Sequence, residues 1–349
     1  MEVTHEILKK IPKLDLHRHL DGALSASTIK RIARKQNYTL PTEDPDELAK
    51  YVQVSPYCRS LAEFLKAFET FYPLLMNPKA MEIAAYEVSR DCFEDNVKYC
   101  ELRFAPVLQA KGDYSMEEIL DGVLTGCKKA HDELGIINPL ILCCYRSETL
   151  ESSIQTVNLA LKYRHRGIVA VDLAGDEEHF PAKIHKQAFD LALKNHMPVT
   201  IHAGEAGGSE NIKEAINVMG ATRIGHGIKV VNDPELYQEV KVKQIPLEMC
   251  LTSNVQTTVA SDYISHPFEQ CYRDGLKVTI NTDDPGVSHI TLTDEYFLLK
   301  QYYHFSWDDI IKIASNSLTS SFTTEERKEK LRSEMKKEME SILEREVDI

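Results

Sequence analysis

Short apolar runs rich in β-branched residues recur along the chain and alternate with stretches of helical period. The runs cover residues 13–17, 97–104, 139–145, 168–173, 198–202, 222–226, 245–250 and 276–281. Each is short and nearly continuous in its apolar character, the pattern of a parallel strand buried on both faces. Amphipathic helical patterns fill the gaps, most plainly over 116–134 and 185–195. Strand and helix alternating eight times predicts an α/β fold, a (β/α)8 TIM-type barrel. A doubly wound open sheet is the competing architecture. It places a Gly-rich phosphate turn after its first strand, whereas here the first run continues into His17-Arg18-His19-Leu20-Asp21-Gly22.

Two regions exceed a minimal barrel. The connection over about 20–96 is far longer than one helix needs, and in a barrel it lies over the C-terminal mouth as a helical insertion or lid. The tail over 323–349 interleaves Glu and Lys (Glu325-Glu326-Arg327-Lys328-Glu329-Lys330) and predicts a solvated C-terminal helix packed on the outside. No low-complexity or Gly/Ser/Pro-rich linker divides the chain, so residues 1–349 read as a single domain.

Composition narrows the function classes. The 349 residues carry 41 Lys and Arg against 54 Asp and Glu, a formal charge of −13. That surplus disfavours nucleic acid and anionic membranes as partners, since both need a basic face. No run approaches the roughly eighteen apolar residues of a membrane span. Residues 1–6 lack a basic stretch followed by an apolar run, so no signal peptide is expected, and a cytoplasmic location is. The eight cysteines show no CxxC spacing and read as plain buried thiols in a reducing compartment. The sequence sets no oligomeric state and is compatible with a monomer.

The candidate chemistry sits at the ends of the predicted strands. His17 and His19 end the first; residues two apart on a strand point to one side, so both imidazoles can face one point in the mouth. The fifth run ends in His202-Ala203-Gly204-Glu205, the sixth in Gly225-His226-Gly227, and the eighth leads into Asp283-Asp284. A lone His-x-His is usually incidental, and each of the others alone reads best as a core histidine, a turn acid or a helix cap. All of them at the same end of four strands, where barrel enzymes carry their catalytic groups, point to one site. A mononuclear catalytic metal takes three or four protein ligands and leaves one position open. His17, His19, His202 and Asp283 fill that count, and imidazole suits zinc. His226 is then free to orient or deprotonate water, Glu205 is a candidate proton donor, and Asp284 is a second polar anchor. No lysine follows the fourth run, Val171-Asp172-Leu173-Ala174-Gly175, which favours one metal over a carbamate-bridged pair.

These motifs, in this order across nearly the whole chain, resemble the adenosine deaminases of the amidohydrolase superfamily. The resemblance implies one zinc ion per chain, held by His17, His19, His202 and Asp283. It implies that Glu205 protonates the purine at N1 and that His226 handles the attacking water. It implies that Asp284 contacts N7, that the backbone at Gly175 meets N3, and that Asp21 contacts the ribose 5′-hydroxyl. The reaction implied is hydrolysis of adenosine and 2′-deoxyadenosine to inosine and deoxyinosine with release of ammonia, on a small purine nucleoside. Leu61, Phe64, Leu65 and Phe68 fall at i, i+3, i+4 and i+7, one face of a helix. Such a stripe is most often plain core, but the family places a hydrophobic gate at the matching residues, which makes it a lid over the purine. The family often has Ser where Ala105 stands. Arg103, Tyr145 and 252–254 are expected near the mouth without an assigned role.

Three other readings stay open at this point. Adenine deaminases share the ligands but tend to carry Glu at the place of Asp21 and Asp at the place of Gly225. An AMP-type deaminase needs a cationic phosphate pocket, for which Arg18, between two ligands, is the one candidate near the motifs. A catalytically inactive adenosine-binding relative is disfavoured by the full ligand set plus Glu205. The zinc deaminases with an HxE…PCxxC signature are excluded, because this chain has no PCxxC.

Overall fold

A computed structural model of the chain describes residues 2–55, 58 and 61–347, with the side chains of Leu61, Ala62, Leu65 and 343–347 outside the description. Its strands are β1 (Lys13–His19), β2 (Val97–Phe104), β3 (Leu140–Tyr145), β4 (Ile168–Ala174), β5 (Thr200–Ala203), β6 (Arg223–His226), β7 (Leu247–Met249) and β8 (Val278–Ile280). Every named pairing is parallel, in the orders β1-β2-β3-β4 and β5-β6-β7-β8. The two halves join at both seams. Val171 on β4 bridges to Val199, and Arg18 on β1 bridges to Asp283 just past β8. The circuit closes into the TIM-type barrel that the alternation predicts.

Nearly every strand residue is buried, which is why the runs are apolar without alternation. The last two strands are shorter than their apolar runs for local reasons. Cys250 turns the chain into the short helix Leu251–Gln256. Asn281 still donates its backbone N–H to the Met249 carbonyl at 3.0 Å, but its side chain takes the pairing towards β1: Oδ1 accepts from the Leu16 N–H at 3.0 Å, and Nδ2 also donates to the Met249 carbonyl at 3.2 Å. In β1 the register slips between Asp15 and Arg18, so Leu16 and His17 stand opposite the single residue Glu101. Bulges of this kind re-aim side chains beside active sites.

The connection from β1 to β2 carries four helices, Ala26–Lys35, Pro45–Val52, Leu61–Glu69 and Pro78–Glu94, with a short turn at Tyr72–Leu75. The helix Met116–Leu134 starts and stops where the sequence pattern places it. Ser115 and Glu118 form a reciprocal cap at its start, and Gly135 ends it with a φ of 76°. The C-terminal helix Glu325–Val347 is more than a solvated rod. Leu331, Met335 and Met339 bury one face of it against Leu14, Leu16 and Tyr99 of the first two strands. Cys92, Cys100, Cys127, Cys143, Cys144, Cys250 and Cys271 are free thiols. Among the described residues no helix is long and apolar enough to cross a membrane.

Candidate active site

The C-terminal ends of the strands surround a cavity of about 440 Å³. That is in the range of small-molecule sites. The His19 Nε2 atom lies 3.1 Å from His202 Nε2, and both His17 Nε2 and His19 Nε2 lie 3.3 Å from Asp283 Oδ1. His226 Nε2 stands 3.9 Å from Asp283 Oδ2. His17, His202, His226 and Asp283 each offer a donor atom within 4.8 Å of the other three; His19, Asp21 and Asp284 form a second such group beside them. The four ligands proposed from sequence therefore converge together with His226, which stands closer into the cluster than a purely catalytic role requires.

Each donor is held from behind. His17 Nδ1 is 2.8 Å from Glu248 Oε2, and His202 Nδ1 is 2.9 Å from Asp172 Oδ2. Carboxylates in this place orient metal-binding imidazoles. Ser253 donates its hydroxyl to Asp283 Oδ2 at 2.7 Å. Arg103 ties both buried acids together, donating to Asp172 at 2.9 Å and to Glu248 at 2.8 Å. It lies fully buried beneath the histidines, so the expectation that it reaches the mouth is corrected. A cation belongs in this arrangement. His17 Nε2 is buried with no hydrogen-bond partner and faces the cluster. Burial opposes ionisation of Asp283, but His17, followed by His226 and His19, holds its carboxyl well below the usual range. Burial also keeps His19 and His226 well below the ordinary imidazole value. Neutral imidazoles around an ionised carboxylate are the donors a divalent metal takes.

Glu205 stands 3.5 Å from His226 Nε2 on a loop that Glu177 fixes. The Glu177 carboxylate accepts from the N–H groups of Gly204 (2.9 Å), Glu205 (2.6 Å) and Gly207 (2.8 Å), and from Asn211 Nδ2 (3.2 Å). Burial, then the charges of Asp283 and Glu177, push the Glu205 carboxyl well above the usual range. Burial and the neighbouring carboxylates do the same to Asp284. Asp284 rests on Gly22, where an added Cβ would come within 1.6 Å of its Oδ1. At Gly225 a Cβ would meet His17 Cε1 and His202 Cα, both at 3.1 Å. On the far side, Asp21 accepts from Tyr72 Oη at 3.2 Å and Gln109 Nε2 at 3.3 Å. Gly175 and Tyr145 line the wall, Ala105 lines it without a hydroxyl, and Phe64 and Phe68 line the side beneath the helix Leu61–Glu69. The side chains of Leu61 and Leu65 lie outside the described residues. No Lys or Arg is among the described residues lining the cavity. Arg18 turns away, bonded through Nε to Asp15 at 3.0 Å, and opens on a separate cavity beside Ser25 and Arg90.

Comparison with known proteins agrees with this geometry. Residues 12–338 match the family model described as adenosine deaminase. The chain belongs to the adenosine deaminase family. An adenosine deaminase of Clostridium kluyveri is 41% identical over 327 residues, 94% of each protein. Among solved structures, the N6-methyl-AMP deaminase of Arabidopsis thaliana superposes with a TM-score of 0.83 at 28% identity, covering 96% of this chain and 98% of that one. The adenine deaminase of Arthrobacter aurescens superposes with a TM-score of 0.86 at 24% identity, covering 96% and 99%.

Several parts of this deaminase site escaped the sequence reading. Asp172 and Glu248 left a legible signal: an acid inside a buried apolar strand needs a partner. Ser253 and Asn254 fell within the unassigned 252–254 segment. Glu177, Tyr72 and Gln109 sit in loops and short turns whose approach to the site only the fold determines. His266 lies outside the motifs, and only the fold brings its Nε2 within 3.1 Å of Asn254 Oδ1.

Proposed function

We propose that this protein hydrolyses adenosine and 2′-deoxyadenosine to inosine and 2′-deoxyinosine, with one zinc ion held by His17, His19, His202 and Asp283. The observation that carries the reading is the convergence of imidazoles and an ionised carboxylate beside a partly buried carboxyl, Glu205, that favours its protonated form. When bound, zinc supplies the Lewis acidity that makes water a nucleophile near neutral pH. The chain's own residues do the rest. Glu205 delivers a proton to N1 as the water oxygen adds to C6, so the electron pair displaced from the ring has somewhere to go; general acid help of this kind is typically worth about 10²- to 10⁴-fold. His226 orients the attacking water. Asp284, held protonated, faces N7, the backbone at Gly175 meets N3, and Asp21 binds the 5′-hydroxyl. Of the two hydrogens of the water, one returns to Glu205 and the other goes to the amino group, so the C6–N bond breaks and ammonia leaves. Leu61, Phe64, Leu65 and Phe68 close over the purine and exclude water.

Two features favour a nucleoside over the rivals. A phosphate would enter a cavity whose described lining holds six Asp and Glu side chains and no Lys or Arg, with Arg18 pointing elsewhere. Asp at position 225, as in adenine deaminases, would crowd His17 and His202. We also read residues 1–349 as one domain with 20–96 as its lid-bearing insertion, acting in the cytoplasm in purine salvage.

The test is an absorbance assay on adenosine, deoxyadenosine, adenine and AMP, before and after chelation. Turnover of the two nucleosides that chelation abolishes and zinc restores is expected. The variant Glu205→Gln should keep its zinc and lose most turnover. Preference for adenine or AMP, or full activity in Glu205→Gln, overturns the reading.

A further inference from the structure

We propose that a hydrogen-bond chain from the Phe268 N–H through His266 and Asn254 fixes the ring hydrogen of His226 on Nε2. His226 then donates a hydrogen bond to the attacking oxygen and is not the base that removes its proton. This inference rests on the function proposed above for the substrate, but not for the direction of the hydrogen bonds.

The site histidines differ in what stands behind them. Behind Nδ1 of His17 is Glu248, and behind Nδ1 of His202 is Asp172. An ionised carboxylate only accepts, so in both rings Nδ1 carries the hydrogen and the Nε2 lone pair faces the site. Behind Nδ1 of His226 is the side-chain amide of Asn254, at 3.1 Å. An amide can present either a donor or an acceptor, and its direction is set from the other end. There the Phe268 backbone N–H donates to Nδ1 of His266 at 3.1 Å. A backbone N–H cannot do otherwise, so His266 must carry its hydrogen on Nε2. That nitrogen is 3.1 Å from Asn254 and needs an acceptor, which places Oδ1 towards His266 and Nδ2 towards His226. Nδ2 then donates to Nδ1 of His226. With that lone pair engaged, the hydrogen of His226 sits on Nε2. Asn254 is fully buried, and His266 and His226 are nearly so, which keeps water from breaking the sequence. Oxygen atoms able to accept stand near Nε2: Glu205 Oε2 at 3.5 Å and Asp283 Oδ2 at 3.9 Å.

Two consequences separate this arrangement from a base at His226. A nitrogen that carries hydrogen has no lone pair for a metal. The ligand place beside His17, His202 and Asp283 therefore falls to His19, although His226 lies within the tighter cluster. A fixed N–H aimed at an oxygen that gains negative charge also acts as an oxyanion donor, and removing one such donor typically costs about 10²- to 10³-fold in kcat. Asn254 and His266 are positioning residues; neither lines the cavity.

Histidine ring ¹⁵N spectra of the zinc-loaded, full-length protein decide the matter, with His226 identified by the signals lost in His226→Gln. A protonated Nε2 and an unprotonated Nδ1 are expected in the wild type. In Asn254→Asp the carboxylate can only accept, so the pattern should reverse. Its kcat on adenosine should fall by roughly 10²- to 10³-fold, with KM and zinc content near wild type. A wild-type spectrum with the hydrogen on Nδ1, or a reversed pattern in Asn254→Asp with unchanged kcat, overturns the proposal. If Asn254→Asp fails to fold, the wild-type spectrum alone decides. Absence of adenosine turnover in the wild type refutes the proposed function, while the spectrum still rules on the hydrogen position.

Discussion

Replacing Glu177 by Gln tests how the proton donor is held. The Glu177 carboxylate accepts four hydrogen bonds, two on each oxygen, and three come from the backbone of the 204–207 loop that carries Glu205. An amide keeps one oxygen and turns an NH₂ group toward two donors, so at least two bonds to a charged acceptor are lost. Such bonds contribute about 1.5–3 kcal/mol each, which puts the loss of loop stability at about 3–6 kcal/mol. The barrel below is untouched, so the chain stays folded while Glu205 loses its fixed backbone. Misplacing a catalytic group by about 1 Å costs on the order of 10²-fold, and kcat on adenosine should fall by at least that much. The pH profile gives a second readout. Glu205 is held well above the usual carboxyl range by burial, then by Asp283 and Glu177. Its acid form is the active one, so kcat/KM falls as pH rises through its pKa. Removing the Glu177 charge weakens the upward push and should move that alkaline limb to lower pH. Stopped assays across pH, with zinc content and circular dichroism as controls, supply both readouts. Wild-type kcat with an unmoved alkaline limb refutes the account of this loop.

The other predictions address the lid, the Asp284 cradle, a buried acid and the metal. Phe64→Ala opens the cavity wall, so KM for adenosine should rise and kcat fall; steady-state kinetics with both unchanged refute the lid. Gly22→Ala sets a methyl group within 1.6 Å of the Asp284 oxygen, and binding of a purine nucleoside measured by calorimetry should weaken at least tenfold while zinc is retained; wild-type affinity refutes the cradle. Burial pushes Glu295 from 4.5 to about 8. The folded state therefore binds a proton that the unfolded chain releases, and stability should fall as pH rises from about 4.5 to 8 and then level off, by at most about 4–5 kcal/mol. Glu295→Gln should lack that slope in urea unfolding at pH 5 and 8.5; parallel curves refute it. Zinc at a thousand times its Kd should stabilise the fold by about 4 kcal/mol, so a chelated sample that melts at the holoenzyme temperature refutes the metal site.

The eight strands were legible because burial on both faces writes itself into a parallel strand as a mainly apolar run without regular alternation. The ends of β7 and β8 were not, because Cys250 and Asn281 are as apolar-flanked as their neighbours and only the tertiary contacts show that one turns and that the other meets β1 through its side chain. The histidines and acids at the strand ends were legible for a different reason: polar residues that interrupt an apolar pattern at a repeated place have few structural explanations. Direction was hidden. Arg103 and Tyr145 both lie at strand ends, yet Tyr145 lines the cavity while Arg103 points beneath it to Asp172 and Glu248. Alternation along β1 also understates its geometry, because the slip between Asp15 and Arg18 re-aims His17 relative to a regular strand.

The same slip explains why the site and the closure of the barrel cannot be separated. At the seam between β1 and β8, the Asp283 N–H donates to the His17 carbonyl at 2.8 Å and the His19 N–H donates to the Asp283 carbonyl at 2.7 Å. The backbone of three proposed metal ligands thus makes the last connection of the ring. Asp283 adopts a left-handed φ of 61° there, and His226 one of 59°. A non-glycine residue in that region costs on the order of 1–3 kcal/mol and persists only where its surroundings dictate it. At Asp283 the two seam bonds and the Ser253 hydroxyl dictate it. Relaxing that backbone would break the hydrogen bonds that close the barrel, so the strain is held by the fold's own closure and the carboxylate stays aimed at the histidines. A substitution that weakens this seam therefore acts on stability and on metal affinity together, whereas one at Glu177 or Asn254 acts on the placement of Glu205 or His226 and leaves the seam between β1 and β8 intact.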